Sequence, residues 1–196
     1  MTEISGEVVL VTGANGGLGT QFVNQALALG ASRVNAAART PRDWADPRVV
    51  PLPLNVTDGE SVAAAAATAH DVAIVINNAG IARPGGLLDG PIEDTREQME
   101  TNFFGPVLVA RAFAGQLRKR RGALINIGSV LSWYAIGQGY STSKAALWSA
   151  TNAMRLEVVR DILAGLLQGA DEVLADDLTR QVRAALAGPV TVLYAS

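Results

Sequence analysis

The chain has 196 residues, 16 basic and 18 acidic side chains, a formal charge of -2 and 49% hydrophobic residues. That length favours one domain over 1–196 with a real core, and the composition is far from that of a disordered chain. No basic surplus points to nucleic acid or an anionic membrane as partner, and the lack of cysteine excludes disulfides, thiol catalysis and cysteine metal sites. The first residues carry no basic, apolar leader, and no apolar run approaches membrane-spanning length, so a cytoplasmic setting is expected. His70 is the one histidine and is expected to end a surface helix. The basic run 118–121 is expected to be a solvated helix end.

Residues 8–12 form a short apolar run rich in β-branched side chains, which predicts a buried strand. A glycine-rich turn, 13–19, opens a helix over 18–29 closed by Gly30. A second strand is expected over 33–38, a loop over 41–47, and a third strand over 49–54, whose two prolines suit an edge position. Asp58 is placed to cap an alanine-rich helix reaching about residue 69. Residues 72–76 are an unbroken apolar strand, and 81–91 a Gly/Pro loop. A long helix follows over 92–120, bent or interrupted near Gly105 and Pro106. A strand over 123–127 and a helix over 141–160 complete this part.

Strands alternate with helices, and several strands are apolar throughout. The expected fold class is α/β: a doubly wound parallel sheet in three layers, with right-handed crossovers.

The turn from Thr12 to Gly19 sits between the first strand and its helix. Gly13 can make the tight turn, Gly17 lets backbone approach a pyrophosphate, and Gly19 lets helix and strand pack closely. Unpaired N–H groups and the dipole of the helix N-terminus favour the anion. Gly13, Asn15, Gly16, Gly17, Leu18 and Gly19 are therefore candidate cofactor residues. At the end of the second strand a NAD site usually carries an acid that bonds the ribose 2′-hydroxyl. Here the stretch is Ala-Ala-Ala-Arg39-Thr40, without an acid. Arg39 suits a 2′-phosphate, so NADP(H) is expected over NAD(H).

Tyr140 and Lys144 are four positions apart at the start of a helix and so share one face. Hydride transfer to a carbonyl needs a proton donor beside the reacting oxygen. A free tyrosine titrates near ~10, and a neighbouring ammonium favours its phenolate. Tyr140 can then give a proton in reduction or take one in oxidation.

On these motifs the chain resembles the short-chain dehydrogenase/reductase family over most of residues 6–158. Asn77-Asn78-Ala79-Gly80 is similar to the family's motif after the fourth strand, and Ile125-Asn126-Ile127-Gly128-Ser129 to the segment bearing its substrate-orienting serine. The resemblance implies a Rossmann-like fold and an NADP(H)-dependent oxidoreductase acting on a small carbonyl or alcohol substrate. It implies Asn102, Ser129, Tyr140 and Lys144 as the catalytic set, with Asn102 holding a relay water and Lys144 also bonding the cofactor ribose. Asn55, Val56, Asn78, Ala79, Gly80, Tyr140 and Lys144 join the cofactor residues. It also implies a homodimer or homotetramer built on helices 92–120 and 141–160.

The chain departs from the family pattern in three places. Ser129 and Tyr140 are eleven positions apart, a shorter spacing than the family's, which makes Ser132 a substitute candidate. Asn55 stands where the family usually has Asp near the adenine. After the Tyr-Lys helix, residues 158–163 follow directly, without the family's sixth strand, Pro-Gly and lid, so the fold is expected to be shortened on its C-terminal side. An amphipathic helix over 176–187 and a strand over 190–194, pairing beside 123–127, are expected in the tail. A second reading is a catalytically impaired relative that serves as an NADP(H)-binding or interaction protein.

Overall fold

The computed structural model describes residues 4–135 and 139–162, with side chains described as far as Leu156. Two compact units organise the chain. The first comprises the residues up to Ile81 together with Glu100–Ile127. The second comprises Ala82–Met99 and the described residues from Gly128 onward.

In the first unit five parallel strands form one sheet in the order β3-β2-β1-β4-β5. They are β1 Val8–Thr12, β2 Arg33–Ala38, β3 Val49–Pro53, β4 Ile74–Asn77 and β5 Ala123–Asn126. All of β1 and β4 is buried, as their apolar sequences require. Pro51 and Pro53 lie on an edge strand, where a missing N–H breaks no inner ladder.

Side chains alternate between the two faces of the sheet. Val9, Val11, Val34, Ala36 and Ile76 pack with Val23 and Ala26 of α1 Gly17–Ala28. Val8, Leu10, Leu52 and Val75 pack with Val62 and Ala65 of α2 Gly59–Thr68 and with Val109 and Phe113 of α4 Gly105–Arg120. Helices therefore cover both faces, in the expected three layers. Each fully buried Val or Leu contributes about 1.5–3 kcal/mol.

The helix ends follow local chemistry. Asp58 caps α2 by accepting from the Glu60 and Ser61 N–H groups. The basic run closes α4, with Arg121 left-handed at φ 51°. Between α3 Ile92–Met99 and α4 lies a π-helical turn, Glu100–Phe104. The interruption expected near Gly105 and Pro106 thus falls on the turn just before them. Pro106 itself sits at the start of α4 directly after the π-helical turn, so its missing N–H goes with the irregular hydrogen bonding there.

The second unit consists of α3, a 3-10 turn at Val130–Ser132 and α5 Gly139–Ile162. Buried Gln98 of α3 accepts from Arg83 N–H at 3.0 Å and donates to Asp94 C=O at 3.0 Å. Trp133 meets Trp148 of α5 edge to face at 6.1 Å, which ties the 3-10 turn to the helix. The helix expected over 176–187 and the strand over 190–194 lie outside the described residues.

A methyl group tests the close packing of the glycine turn. A Cβ on Gly19 would sit 2.1 Å from the Gly13 carbonyl oxygen, whereas one on Gly17 would meet nothing within 4 Å. Gly19→Ala is expected to lower the thermal midpoint by at least about 10 °C or abolish soluble expression, an overpacking cost of a few kcal/mol. Gly17→Ala is expected to leave the midpoint within about 3 °C. Differential scanning fluorimetry of the two variants checks this.

Candidate functional site

The sheet order reverses between β1 and β4, and in such sheets ligands bind outside the carboxyl ends of the strands at that switch point. Both strand ends carry candidate residues. Gly13 turns the chain after β1 at φ 65°, and a Cβ there would lie 2.9 Å from Ala79 Cα. Asn78, after β4, donates from Nδ2 to the carbonyls of Thr12 at 2.9 Å and Gly13 at 3.2 Å. In return Thr12 Oγ1 accepts from the N–H groups of Asn78 and Ala79, both at 3.0 Å. Thr12 is 1% exposed and was not among the candidates. A polar residue ending an otherwise apolar strand was the one signal that pointed to it.

The start of α1 suits an anion. Gly16 is the N-cap without a side-chain hydrogen bond, and no acidic side chain lies in the first turn. Gly17 leaves open space, and Leu18 is 65% exposed. Asn15 Nδ2 donates to Thr40 C=O at 2.8 Å and so fastens the glycine turn to the loop that follows Arg39. Arg39 is exposed at the end of β2, with no carboxylate paired to it among the described residues. Arg42 donates to Thr20 Oγ1 at 3.1 Å and stacks over Trp44 at 4.2 Å. This donor set fits a dinucleotide diphosphate with an extra phosphate near β2.

Asn55 Oδ1 accepts from Thr57 N–H at 3.3 Å and from Thr57 Oγ1 at 3.0 Å, which shapes the turn after β3. Val56 is buried against Gly105, where an added Cβ would lie 2.9 Å from Val56 Cγ2. Gly80 follows Ala79 directly. Asn102, fully buried in the π-helical turn, clamps Ile81 from both sides. Its Oδ1 accepts from the Ile81 N–H and its Nδ2 donates to the Ile81 carbonyl, each at 2.8 Å. The side chain thus fixes the backbone leaving β4.

In the second unit Tyr140 and Lys144 lie in the first turns of α5. Lys144 Nζ is 5.8 Å from the centre of the Tyr140 ring. Lys144 is 5% exposed, and burial pushes its amine down to about 8. Ser143 Oγ donates to the Tyr140 carbonyl at 2.8 Å, which steadies the helix start. Ser129 Oγ accepts from Leu131 N–H at 3.1 Å as the cap of the 3-10 turn, and a hydroxyl can donate as well as accept. Ser132 is buried, and its hydroxyl has no hydrogen-bond partner among the described residues. No described cluster of His, Cys, Asp or Glu could hold a metal ion.

The profile of the short chain dehydrogenase family matches residues 7–164. The chain belongs to that family. It is 33% identical over 167 residues to a 3-oxoacyl-(acyl-carrier-protein) reductase of Vibrio cholerae, covering 79% of this chain and 68% of the relative. It is 34% identical over 114 residues to an NADPH-dependent 1-acyldihydroxyacetone phosphate reductase of Schizosaccharomyces pombe, covering 55% of this chain but only 38% of that protein. Among solved structures, a short chain dehydrogenase from Burkholderia cenocepacia in complex with NADP superposes with a TM-score of 0.89 at 32% identity. That match covers 99% of this chain and 98% of the other. An NADPH-bound carbonyl reductase from chicken fatty liver gives a TM-score of 0.73 at 29% identity, over 93% and 90% of the two chains. The Rossmann-like sheet of this short chain dehydrogenase is thus that of its family. No described helix is long and apolar enough to cross a membrane.

Buried Lys144 gives the fold a pH signature. With its amine lowered from 10.5 to about 8, the native state releases the proton before the unfolded state does. Stability therefore rises with pH between about 8 and 10.5 and carries the full burial penalty below 8. Lys144→Met is expected to be more stable than the parent at pH 7 by about 1–3 kcal/mol, an advantage that shrinks as pH rises through that window. Urea denaturation at pH 7, 8.5 and 10 reads the difference; a constant gap would contradict it.

Proposed function

We propose that this short chain dehydrogenase is an NADP(H)-dependent oxidoreductase that moves a hydride between the cofactor and a small carbonyl or alcohol substrate. The observation that carries the reading is the Tyr140–Lys144 pair, with the lysine nearly fully buried at the start of α5. A buried amine of this kind is expensive to keep unless it works on a neighbour or a ligand. Further support comes from the uncapped start of α1 and from exposed Arg39, which no carboxylate pairs among the described residues, and from the NADP and NADPH held by the Burkholderia and chicken proteins.

When bound, the reduced nicotinamide supplies the hydride. The chain's own residues do the rest. Gly13, Asn15, Gly16, Gly17, Leu18 and Gly19 bind the diphosphate through backbone N–H groups and open space. Arg39 bonds the 2′-phosphate, which a ribose hydroxyl alone would not reward. Asn55 and Val56 bound the adenine, and Asn78, Ala79 and Gly80 the adjoining ribose. Ser129 donates a hydrogen bond to the substrate oxygen. Tyr140 gives that oxygen the proton it needs as the carbonyl carbon gains the hydride, and takes it back in the reverse direction. Lys144, as ammonium, stabilises the tyrosinate left behind and bonds the ribose. The Asn102 segment helps return a proton through water. The working form is a homodimer or homotetramer in the cytoplasm.

Activity is read by NADPH consumption with a panel of ketones and aldehydes, and by NADP⁺ reduction with alcohols. Tyr140→Phe is expected to lower kcat/KM at least about 100-fold, the usual worth of a positioned proton donor, while NADPH affinity stays within about threefold. Undiminished turnover in this variant would overturn the assignment. Tight NADPH binding by the parent with no turnover on any of these compounds would favour a cofactor-binding or interaction protein instead, a reading that the short Ser129–Tyr140 spacing supports.

A further inference from the structure

Gly139, the first residue of α5, is buried, and its φ is not positive. Its backbone is therefore one that any residue can adopt, and glycine gains the helix nothing over alanine there. What requires the glycine is a neighbour. A Cβ at this position would lie 2.9 Å from Gln98 Nε2, 2.9 Å from Thr95 Oγ1 and 3.3 Å from Thr95 Cα, all on α3. Tyr140, the proton donor of the proposed reaction, is the next residue in the chain.

The wall that Gly139 meets is stiff. Gln98 is 2% exposed, and both ends of its carboxamide are in use: Oε1 accepts from Arg83 N–H and Nε2 donates to Asp94 C=O, each at 3.0 Å. Swinging the side chain away would leave the Arg83 N–H without its acceptor, a cost of about 1–3 kcal/mol where the group is shielded from water. Arg83 is braced on α3 as well, its guanidinium donating to Glu97 Oε2 at 2.9 and 3.1 Å. Thr95 is β-branched, with few rotamers open to it on a helix, and its Cα belongs to the backbone. Carbon contacts are comfortable only from ~3.5 Å outward. An added methyl at 139 would thus move the start of α5 more readily than the wall.

We propose that Thr95 and Gln98 are positioning residues: together they form a stop on α3 against which the first turn of α5 rests, and the stop sets the place of the Tyr140 hydroxyl. They act through Gly139 and the helix start, not on the substrate. A reacting group misplaced by ~1 Å can lose about 100-fold in rate, so a stop of this kind serves catalysis as well as packing. Its consequence for catalysis rests on the oxidoreductase reading; the stop itself does not.

Fluorine NMR of the full chain labelled with meta-fluorotyrosine tests the stop without cofactor or turnover. The chain has three tyrosines, and Tyr140→Phe identifies the Tyr140 signal. Gly139→Ala is expected to move that signal by more than its line width. Adding Thr95→Ala removes one of the two atoms at 2.9 Å, gives the carboxamide room to yield, and is expected to reverse most of the shift. Gln98→Ala in place of Thr95→Ala does the same at a lower thermal midpoint, because the Arg83 N–H loses its acceptor. The two α3 variants alone complete the cycles. A methyl acting only through its peptide neighbours would shift the signal equally in every background. Kinetics follow the same order: Gly139→Ala lowers kcat at least about tenfold with KM within about threefold, and the double variants regain most of the loss. A Gly139→Ala chain that folds only alongside Thr95→Ala or Gln98→Ala, as circular dichroism reads it, gives the same answer. A signal that does not move, a shift that neither replacement reverses, or failure to fold in every background would overturn the proposal. The fluorine pattern in a chain with no turnover would keep the stop and remove the oxidoreductase reading. Turnover that Gly139→Ala leaves intact would keep that reading and remove the positioning role.

Discussion

The stitching of β1 to β4 at their carboxyl ends is the constraint on which the rest of the first unit depends. Thr12 and Asn78 exchange four hydrogen bonds with each other and with Gly13 and Ala79, all between 2.9 and 3.2 Å. These bonds hold the glycine turn against the strand at the switch point of the sheet, and Gly13 and Gly19 supply the absence of side chains that such an approach needs. The start of α1 can then stay uncapped and face an anion, because the turn does not rely on a side-chain cap for its shape. Each bond contributes only about 1 kcal/mol, yet losing one partner would leave others buried and unpaired.

A second constraint runs through Asn102. Its carboxamide uses both ends on Ile81, so the chain leaving β4 is pinned at Asn78–Ala79 and again at Ile81. The π-helical turn that carries Asn102 is the local irregularity that accompanies this reach, as such bulges often do at functional segments. Lys144 is handled differently: burial depresses its basicity, and its Nζ lies 5.8 Å from the centre of the Tyr140 ring.

Much of this was legible in the sequence where one residue type has one physical use. Apolar runs 8–12 and 72–76 announced a sheet buried on both faces, the prolines of 49–54 an edge, and Asp58 a cap; the structure has all four, with the second strand shifted to Ile74–Asn77. The glycine turn and the Tyr140–Lys144 spacing were equally plain, because few other patterns need those residues there. What was not legible depends on partners distant in sequence. Thr12 reads as the end of a strand until Asn78 is seen bonded to it. Asn102 reads as one polar residue on a helix until Ile81 is placed. The interruption expected near Gly105 and Pro106 is there, but its form, a π-helical turn over Glu100–Phe104, has no residue signature of its own. That Ser132 Oγ and Trp133 Nε1 find no partner among the described residues is likewise a property of what surrounds them, which no local pattern encodes.

The central claim is that the glycine turn and Arg39 together make an NADP(H) site. Calorimetric titration of the full chain with NADPH and NADH side by side tests it without any guess at the substrate. The account predicts micromolar binding of NADPH and at least about tenfold weaker binding of NADH, with the difference lost in Arg39→Ala. Binding of neither nucleotide, or equal binding of both, would contradict it.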